Sequence, residues 1–275
     1  MSSIKFKSFS SGSCGNCYYL GIFNDEGKSE CGIIIDTGVS PRRLKKELAQ
    51  HGLSFDDFNA VLITHDHYDH IRSLGSFCKH IAKPVWATPV LLKALLNKFI
   101  TGEYLHTCKA CLAEGWNEIV PGRIRVHYFV VPHDANQTVG YAIELDGYRF
   151  VIMTDIGAMT TEALNFSSQA DTVVIESNYD REMLAKGPYP EDLQRRIRGG
   201  HGHLSNDECA EAIRTFYHDS LTNIFLCHLS EHNNTPQLAH AASAGVLAEL
   251  QKGSDRRPVR LVPLPRQTAS VLFEL

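Results

Sequence analysis

Four side chains able to bind a metal ion fall within six residues: His65, His67, Asp69 and His70, inside Thr64-His65-Asp66-His67-Tyr68-Asp69-His70. The run follows the apolar stretch Val61-Leu62-Ile63, so a buried strand launches it. A solvated loop would mix lysine, serine, glycine and glutamate among the histidines, whereas every position here is His, Asp, Thr or Tyr. Imidazole and carboxylate donors together suit zinc, manganese or iron. Three further candidates, His133, Asp155 and His228, lie far along the chain, each just beyond an apolar run: Val130-Val131, Val151-Ile152-Met153 and Ile224-Phe225-Leu226. Alone, each reads as an ordinary surface, turn or core residue. At matching strand ends, beside a cluster that needs completing, they read as its missing donors. One ion rarely takes more than six ligands and zinc usually takes four. These seven candidates therefore fit two adjacent ions sharing a carboxylate. Paired ions activate water against an ester, amide or phosphodiester.

Such donors converge only if rigid elements carry them. Strands are expected over Ile4 to Phe9, Tyr18 to Phe23, Gly32 to Asp36 and Ala60 to Thr64, with a loop over 10–16. Ser40-Pro41 reads as a helix start, and helices are expected over His70 to His80 and Pro89 to Phe99, flanking a short strand at Pro84 to Ala87. Later strands are expected over Arg123 to Val131, Gly140 to Leu145, Tyr148 to Thr154, Thr172 to Glu176, Thr222 to Cys227 and Ala269 to Phe273. Asp146-Gly147 makes a tight hairpin turn. Helices are expected at about Tyr189 to Arg198, Asn206 to Tyr217 and Pro236 to Gln251. The order implies an α/β chain: a four-layer αββα sandwich, two mixed β-sheets face to face with helices outside. Asp36, ending Ile33-Ile34-Ile35-Asp36-Thr37-Gly38, is placed to hold the ligand loop by hydrogen bonds.

At 275 residues the chain can bury a large core, and it reads as one domain over 1–275. A net charge of -4 gives no global attraction to nucleic acid or anionic membrane, so a polyanionic substrate must meet local positive charge. No apolar segment is long enough to span a bilayer, and Ser2-Ser3-Ile4-Lys5-Phe6 reads as a strand rather than a signal core. No membrane association is expected; the eight scattered cysteines suit free thiols in a reducing cytoplasm. Cys14/Cys17 and Cys108/Cys111 have C-x-x-C spacing, but buried thiols are the expected reading over a zinc ribbon. His51, His80, His106, His127, His218 and His240 lack such support.

His65-x-His67-x-Asp69-His70, then His133, Asp155 and His228, with Asp36-Thr37-Gly38 upstream, resemble the five ordered motifs of the metallo-β-lactamase superfamily. The resemblance covers nearly the whole chain and implies a dinuclear site at one edge of the sandwich. It implies that His65, His67 and His133 hold one ion, that Asp69, His70 and His228 hold the other, and that Asp155 bridges. True β-lactamases usually carry Cys at the place of Asp155, and the flavodiiron branch an acid at the place of His67. Only 73 positions separate Asp155 from His228, which leaves no room for the large β-CASP insertion. Residues 10–17, Ser177-Asn178-Tyr179-Asp180, Gly202-His203-Leu204-Ser205-Asn206 and His228-Leu229-Ser230-Glu231-His232-Asn233-Asn234 resemble the YycJ (WalJ)-like branch. Tyr179 stands where members commonly have His. That branch is similar to metal-dependent DNA exonucleases, which implies a nucleic-acid substrate, DNA before RNA.

The residues agree with nuclease chemistry. Asp69 and His203 are the candidate catalytic side chains, His203 as proton donor or phosphate contact, or equally as a structural hydrogen bond in a capping turn. Arg195, Arg196 and Arg198, before Gly199-Gly200-His201-Gly202, could bind phosphate, or could simply end a helix against its dipole. Ser13, in the Ser/Gly loop, could present amides to an anion or sit in a tight connection. Asp36, Ser13, Asn178, Arg198 and Asn233 are the candidates for supporting ligands or touching substrate. The expected cofactors are two divalent ions, zinc first, with manganese or iron accepted. A small thioester, lactone or cyclic phosphate is the alternative substrate, and a non-catalytic metal-bound DNA-binding regulator the third reading. The oligomeric state is left open.

Overall fold

The computed structural model describes residues 2–275. Strands β1 (Ser3–Gly12), β2 (Gly15–Phe23), β3 (Ser29–Ile35), β4 (Ala60–Leu62), β5 (Val85–Ala87) and β6 (Lys109–Cys111) form one sheet. A second sheet holds β7 (Asn117–Val120), β8 (Ile124–Val131), β9 (Thr138–Leu145), β10 (Tyr148–Met153), β11 (Thr172–Glu176), β12 (Asn223–Cys227) and β13 (Arg260–Pro263). The last strand, β14 (Phe273–Glu274), returns to pair with β1 in the first sheet. Each sheet begins antiparallel and turns parallel: at β3–β4 in the first and at β10–β11 in the second. The parallel strands β10, β11 and β12 therefore end on one edge, in the register Met153↔Ile175 and Glu176↔Cys227.

Alternation along the strands decides what each sheet faces. Phe150, Ile152, Val174 and Phe225 of the second sheet join the core of the first. Phe6 meets Phe150 and Phe225 across the sandwich at ring-centroid distances of 5.4 and 4.9 Å. Each such ring, fully buried, contributes roughly 1.5–3 kcal/mol. Val173, Ile175, Ile224 and Leu226 point the other way, into a separate apolar cluster.

Helices α1 (Pro41–Ala49), α2 (Tyr68–Ile71), α3 (Leu74–His80), α4 (Pro89–Leu96) and α5 (Phe99–Cys108) follow strands of the first sheet. Leu44, Leu48, Phe77, Leu91 and Leu105 from these helices complete its core. Helices α6 (Thr161–Ser167), α7 (Arg181–Lys186), α8 (Glu191–Arg198), α9 (Asn206–Phe216) and α10 (Pro236–Leu250) belong to the second half. Ala163, Ile213, Phe216, Ala239 and Leu247 cover the outer face of the second sheet. The layers are α, β, β, α, as the sequence leads one to expect.

Local chemistry sets the boundaries. Ser40 caps α1 by accepting from the Arg43 amide, with Pro41 as the first helical residue. Ser205 and Glu208 form a reciprocal capping box at α9. Asp146 and Gly147 both take positive φ, 48° and 88°, as the tight β9–β10 turn requires. The expected loop over 10–16 is instead a hairpin, with Ser11 paired to Asn16 and Gly12 to Gly15. The helix expected over 70–80 breaks near Ser73 into α2 and α3, and α2 starts directly after His67. The final strand lies at Phe273–Glu274 rather than at 269–273. Helices α5, α6 and α7 and strands β6, β7 and β13 carry too short or too mixed a pattern to stand out in the sequence. No helix among the described residues is long and apolar enough to cross a membrane.

Candidate metal centre

Strand ends build the site. Asp36 follows β3, the run His65 to His70 follows β4, His133 follows β8, Asp155 follows β10, Glu176 ends β11 and His228 follows β12. Asp36, Asp155 and His228 adopt φ of 59°, 54° and 53°, a left-handed backbone that non-glycine residues rarely take. Residues held this way cost about 1–3 kcal/mol each and concentrate at functional sites. Gly38 allows the closest approach: a Cβ there would run into the Asp69 carbonyl and the Asn16 amide. Thr37 and Gly38 donate backbone hydrogen bonds to the His70 and Asn16 carbonyls at 2.7 and 2.8 Å, tying the Asp-Thr-Gly turn to the ligand loop.

Two sets of donor atoms meet. In one, the ligand atoms of His65, His67 and His133 lie within 4.8 Å of one another; Asp69, His70 and His228 form the second. Asp155 stands between them. Its Oδ2 is 3.1 Å from His70 Nε2, while its Oδ1 is 3.4 Å from His228 Nδ1 and 3.7 Å from His133 Nε2. Asp69 Oδ2 is 3.5 Å from His70 Nε2 and 3.7 Å from His228 Nε2. His67 Nδ1 is 3.4 Å from His133 Nε2.

Hydrogen bonds behind the rings fix their angles. His70 Nδ1 donates to Asp36 Oδ2 at 2.7 Å, and Asp36 also accepts from Thr64 N and Oγ1 at 2.9 and 2.8 Å. His133 Nδ1 donates to the Gly202 carbonyl at 2.8 Å. Glu176 Oε1 lies 2.8 Å from Nδ1 of both His228 and His203. Its Oε2 accepts from the Ile156 amide at 2.9 Å.

Charge explains the electrostatics. Burial works against a charge on His70, but Asp155, Asp36 and Asp69 outweigh it and hold its pKa well above the ordinary imidazole value. For His228 burial is likewise outweighed, by Asp155, Asp69 and Glu176, and the pKa rises to about 10. His65 goes the other way, pushed well below by burial and then by its neighbour His70. Burial opposes the charge on Asp155, yet His228, His70 and His65 hold its carboxyl well below the usual range. A buried group of carboxylates thus demands cations. Protons on imidazoles meet that demand here, and metal ions would meet it equally. His65 Nε2 and His228 Nε2 are buried without any hydrogen-bond partner. Unpartnered imidazole nitrogens among carboxylates fit divalent metal binding.

A cleft of about 270 Å³ opens onto these groups, lined by Ser13, His67, Asp69, His133, Asp155, Asn178, His203 and His228. It is also lined by Tyr189, Leu193, Arg196 and Ile197.

The family model for the beta-lactamase superfamily domain matches residues 32–224. The chain belongs to the metallo-β-lactamase superfamily. Within it the chain is YycJ-like: it is 32% identical over 249 residues to exodeoxyribonuclease WalJ of Streptococcus pneumoniae, covering 90% of each. It is 32% identical over 246 residues to exodeoxyribonuclease YycJ of Bacillus anthracis, again covering 90% of each. Among solved structures, the metallo-β-lactamase fold protein YhfI of Bacillus subtilis matches over the full length of both chains, with a TM-score of 0.67 at 15% identity.

Other residues named from the sequence fall in different places within this superfamily frame. Ser13 and Asn178 line the cleft, and Asn178 Nδ2 donates to the His228 carbonyl at 2.8 Å. Arg198 faces a different pocket, beside Tyr179, Arg181 and Glu208; Arg196 is the arginine at the cleft. Asn233 is buried and does not line the cleft; its side-chain amide has no partner, while its backbone N–H donates to Ser230 Oγ and its backbone carbonyl accepts from the Asp180 amide. All eight cysteines are free, and no donor cluster among the described residues contains one. Glu176 is the main residue that sequence reasoning missed. Its signal was present, an acid ending a buried strand like Asp36. Asn16, 3.0 Å from Asp69 Oδ2 and 2.8 Å from His70 Nε2, carried no such signal.

Proposed function

We propose that this chain is a two-metal phosphodiesterase that shortens DNA from an end. The observation that carries the reading is Asp155, a buried carboxylate with one oxygen toward His70 and the other toward His133 and His228. A carboxylate between two donor sets suits a bridge between two cations. Identity to exodeoxyribonucleases along 90% of the chain supports DNA as the substrate.

In this reading His65, His67 and His133 would hold one ion, Asp69, His70 and His228 would hold the other, and Asp155, between the two sets, would serve both. Zinc is the expected occupant, with manganese or iron accepted by the same nitrogen and oxygen donors. Bound ions would supply Lewis-acid charge to the phosphoryl oxygens and a nucleophilic water at neutral pH.

The side chains do the rest. Asp36, the Gly202 carbonyl and Glu176 fix the tautomers of His70, His133 and His228 by accepting from their Nδ1–H groups. Glu176 does the same for His203, whose Nε2 has no hydrogen-bond partner among the described residues. That nitrogen is the group we assign to protonate the leaving oxygen. Asp69, steadied by Asn16, accepts a hydrogen bond from the attacking water. The 275 residues act as one catalytic unit without a β-CASP insertion, and eight free thiols suit the cytoplasm.

The test is a metal analysis paired with digestion of end-labelled single- and double-stranded DNA under zinc and manganese. Nucleotide release that disappears in Asp69→Asn is expected. Protein carrying stoichiometric metal yet inert on every DNA would overturn the reading.

A further inference from the structure

Helix α8 has no buried residue, yet it is strongly sided. Leu193 and Ile197, four residues apart, share one face of the helix, and Tyr189 stands just before the N-capping Pro190, ahead of its first turn. In most helices such a stripe enters a core. Here all three line the cleft over the His/Asp cluster, each only half-buried. Arg196 borders the same stripe, and its guanidinium pairs with Asp134, the residue after His133. The other anchor of the helix is its C-terminal end: the His203 amide donates to the Ile197 carbonyl at 2.9 Å. A Cβ on Gly202 would strike that carbonyl, so only glycine lets the helix sit this close to the site.

We propose that this face of α8, together with Tyr189 just ahead of the helix, is the subsite for the nucleoside next to the scissile phosphodiester. Its base rests on Tyr189, Leu193 and Ile197, and Arg196 takes its phosphate. The inference rests on the phosphodiesterase reading. Three features select this occupant. The wall is apolar with one aromatic ring, which receives any base without reading its edges. A cation borders it, on the side of the donor cluster where the phosphate must lie. The cleft that this wall lines also holds Asp69, Asp155 and His228, so an occupant resting on the wall reaches the donor cluster. The Arg196–Asp134 pair is exposed and screened, so it yields readily to a phosphate that the guanidinium can bind through two N–H groups.

The experiment compares thymidine 5′-(p-nitrophenyl phosphate) with methyl p-nitrophenyl phosphate, on metal-loaded wild type, Tyr189→Ala, Leu193→Ser/Ile197→Ser, Arg196→Ala and Arg196→Lys. In wild type the nucleoside ester has the lower KM. In Tyr189→Ala and Leu193→Ser/Ile197→Ser its KM rises about 5- to 100-fold more than that of the methyl ester, with kcat much less affected, whereas Arg196→Ala raises the KM of both esters together. Arg196→Lys restores part of the loss. On single-stranded DNA, Arg196→Ala lowers the slope of log affinity against log salt by about 1. Metal content measured on each variant separates a folded protein from a collapsed one, and Arg196→Lys keeps the test open if the apolar variants fail to fold. An active wild type with unchanged KM ratios in Tyr189→Ala and Leu193→Ser/Ile197→Ser, or with both KM values unaltered in Arg196→Ala, overturns the subsite alone. A metallated wild type inert on both esters and on DNA overturns the phosphodiesterase reading and the subsite with it.

Discussion

Glu176 Oε1 lies 2.8 Å from His203 Nδ1, at the end of a strand buried throughout. The pair couples the imidazole assigned above as proton donor to a buried acid, and that assignment gives a pH test. Burial disfavours a charged His203, but Glu176 outweighs burial and raises its pKa. A general acid works below its pKa, so the rate should fall as pH rises through that raised value. Glu176→Gln removes the negative charge and should move the alkaline fall to lower pH. His203→Ala should lower kcat by about 10²–10⁴-fold with metal content intact. Identical pH–rate profiles for wild type and Glu176→Gln would remove His203 from the proton-donor role.

Asp36 touches His70 and Thr64, and in the proposed site its role is to hold His70. Asp36→Ala takes away the acceptor of the His70 Nδ1–H and of two Thr64 donors. Loss of such a supporting partner typically weakens metal affinity about 10–100-fold. Titration with a competing chelator measures this directly, and unaltered affinity would refute it.

Metal removal should expose the charge balance described above. In the metal-free protein the folded-state pKa of His228 is raised to about 10. Its stabilising contribution is therefore complete below the unfolded value of about 6.5 and is lost as pH rises toward the folded value. Chelated wild type should lose melting temperature between pH 7 and pH 10 relative to chelated His228→Gln. Parallel melting curves for the two proteins across that range would contradict the assignment.

Tyr141 ties one sheet to the other. Its buried hydroxyl donates to the Ile63 carbonyl at 2.5 Å, two residues before His65. Tyr141→Phe leaves that carbonyl unpaired in the core, at a cost of about 1–3 kcal/mol. Urea unfolding should report the loss as a lower midpoint at constant slope, and metal affinity should fall with it.

The sequence made the donor cluster legible because the residue types were improbable as loop and because each distant partner followed an apolar run. Glu176 passed unnoticed although it ends the same kind of run, since a single strand-end glutamate matches no spacing rule. Choosing between Arg196 and Arg198 required the helix itself: two residues apart on a helix point to opposite sides. Only the placement of Leu193 and Ile197 tells which side meets the cleft. The hairpin at 10–17 was hidden by its serines and glycines, which pair through backbone alone. Asn16 gains its place from that pairing, through contacts over fifty residues away.

The donors are shared between two independently wound sheets. His65, His67, Asp69 and His70 ride on one, and His133, Asp155 and His228 on the other. Ligand bonds to a metal tolerate errors of only about 0.2 Å, so the spacing of the layers is itself a tuning parameter. The aromatic contacts of Phe6 with Phe150 and Phe225 act as shims that set this spacing. Thinning one of them, far from any ligand, would detune which ion fits before it unfolded the chain.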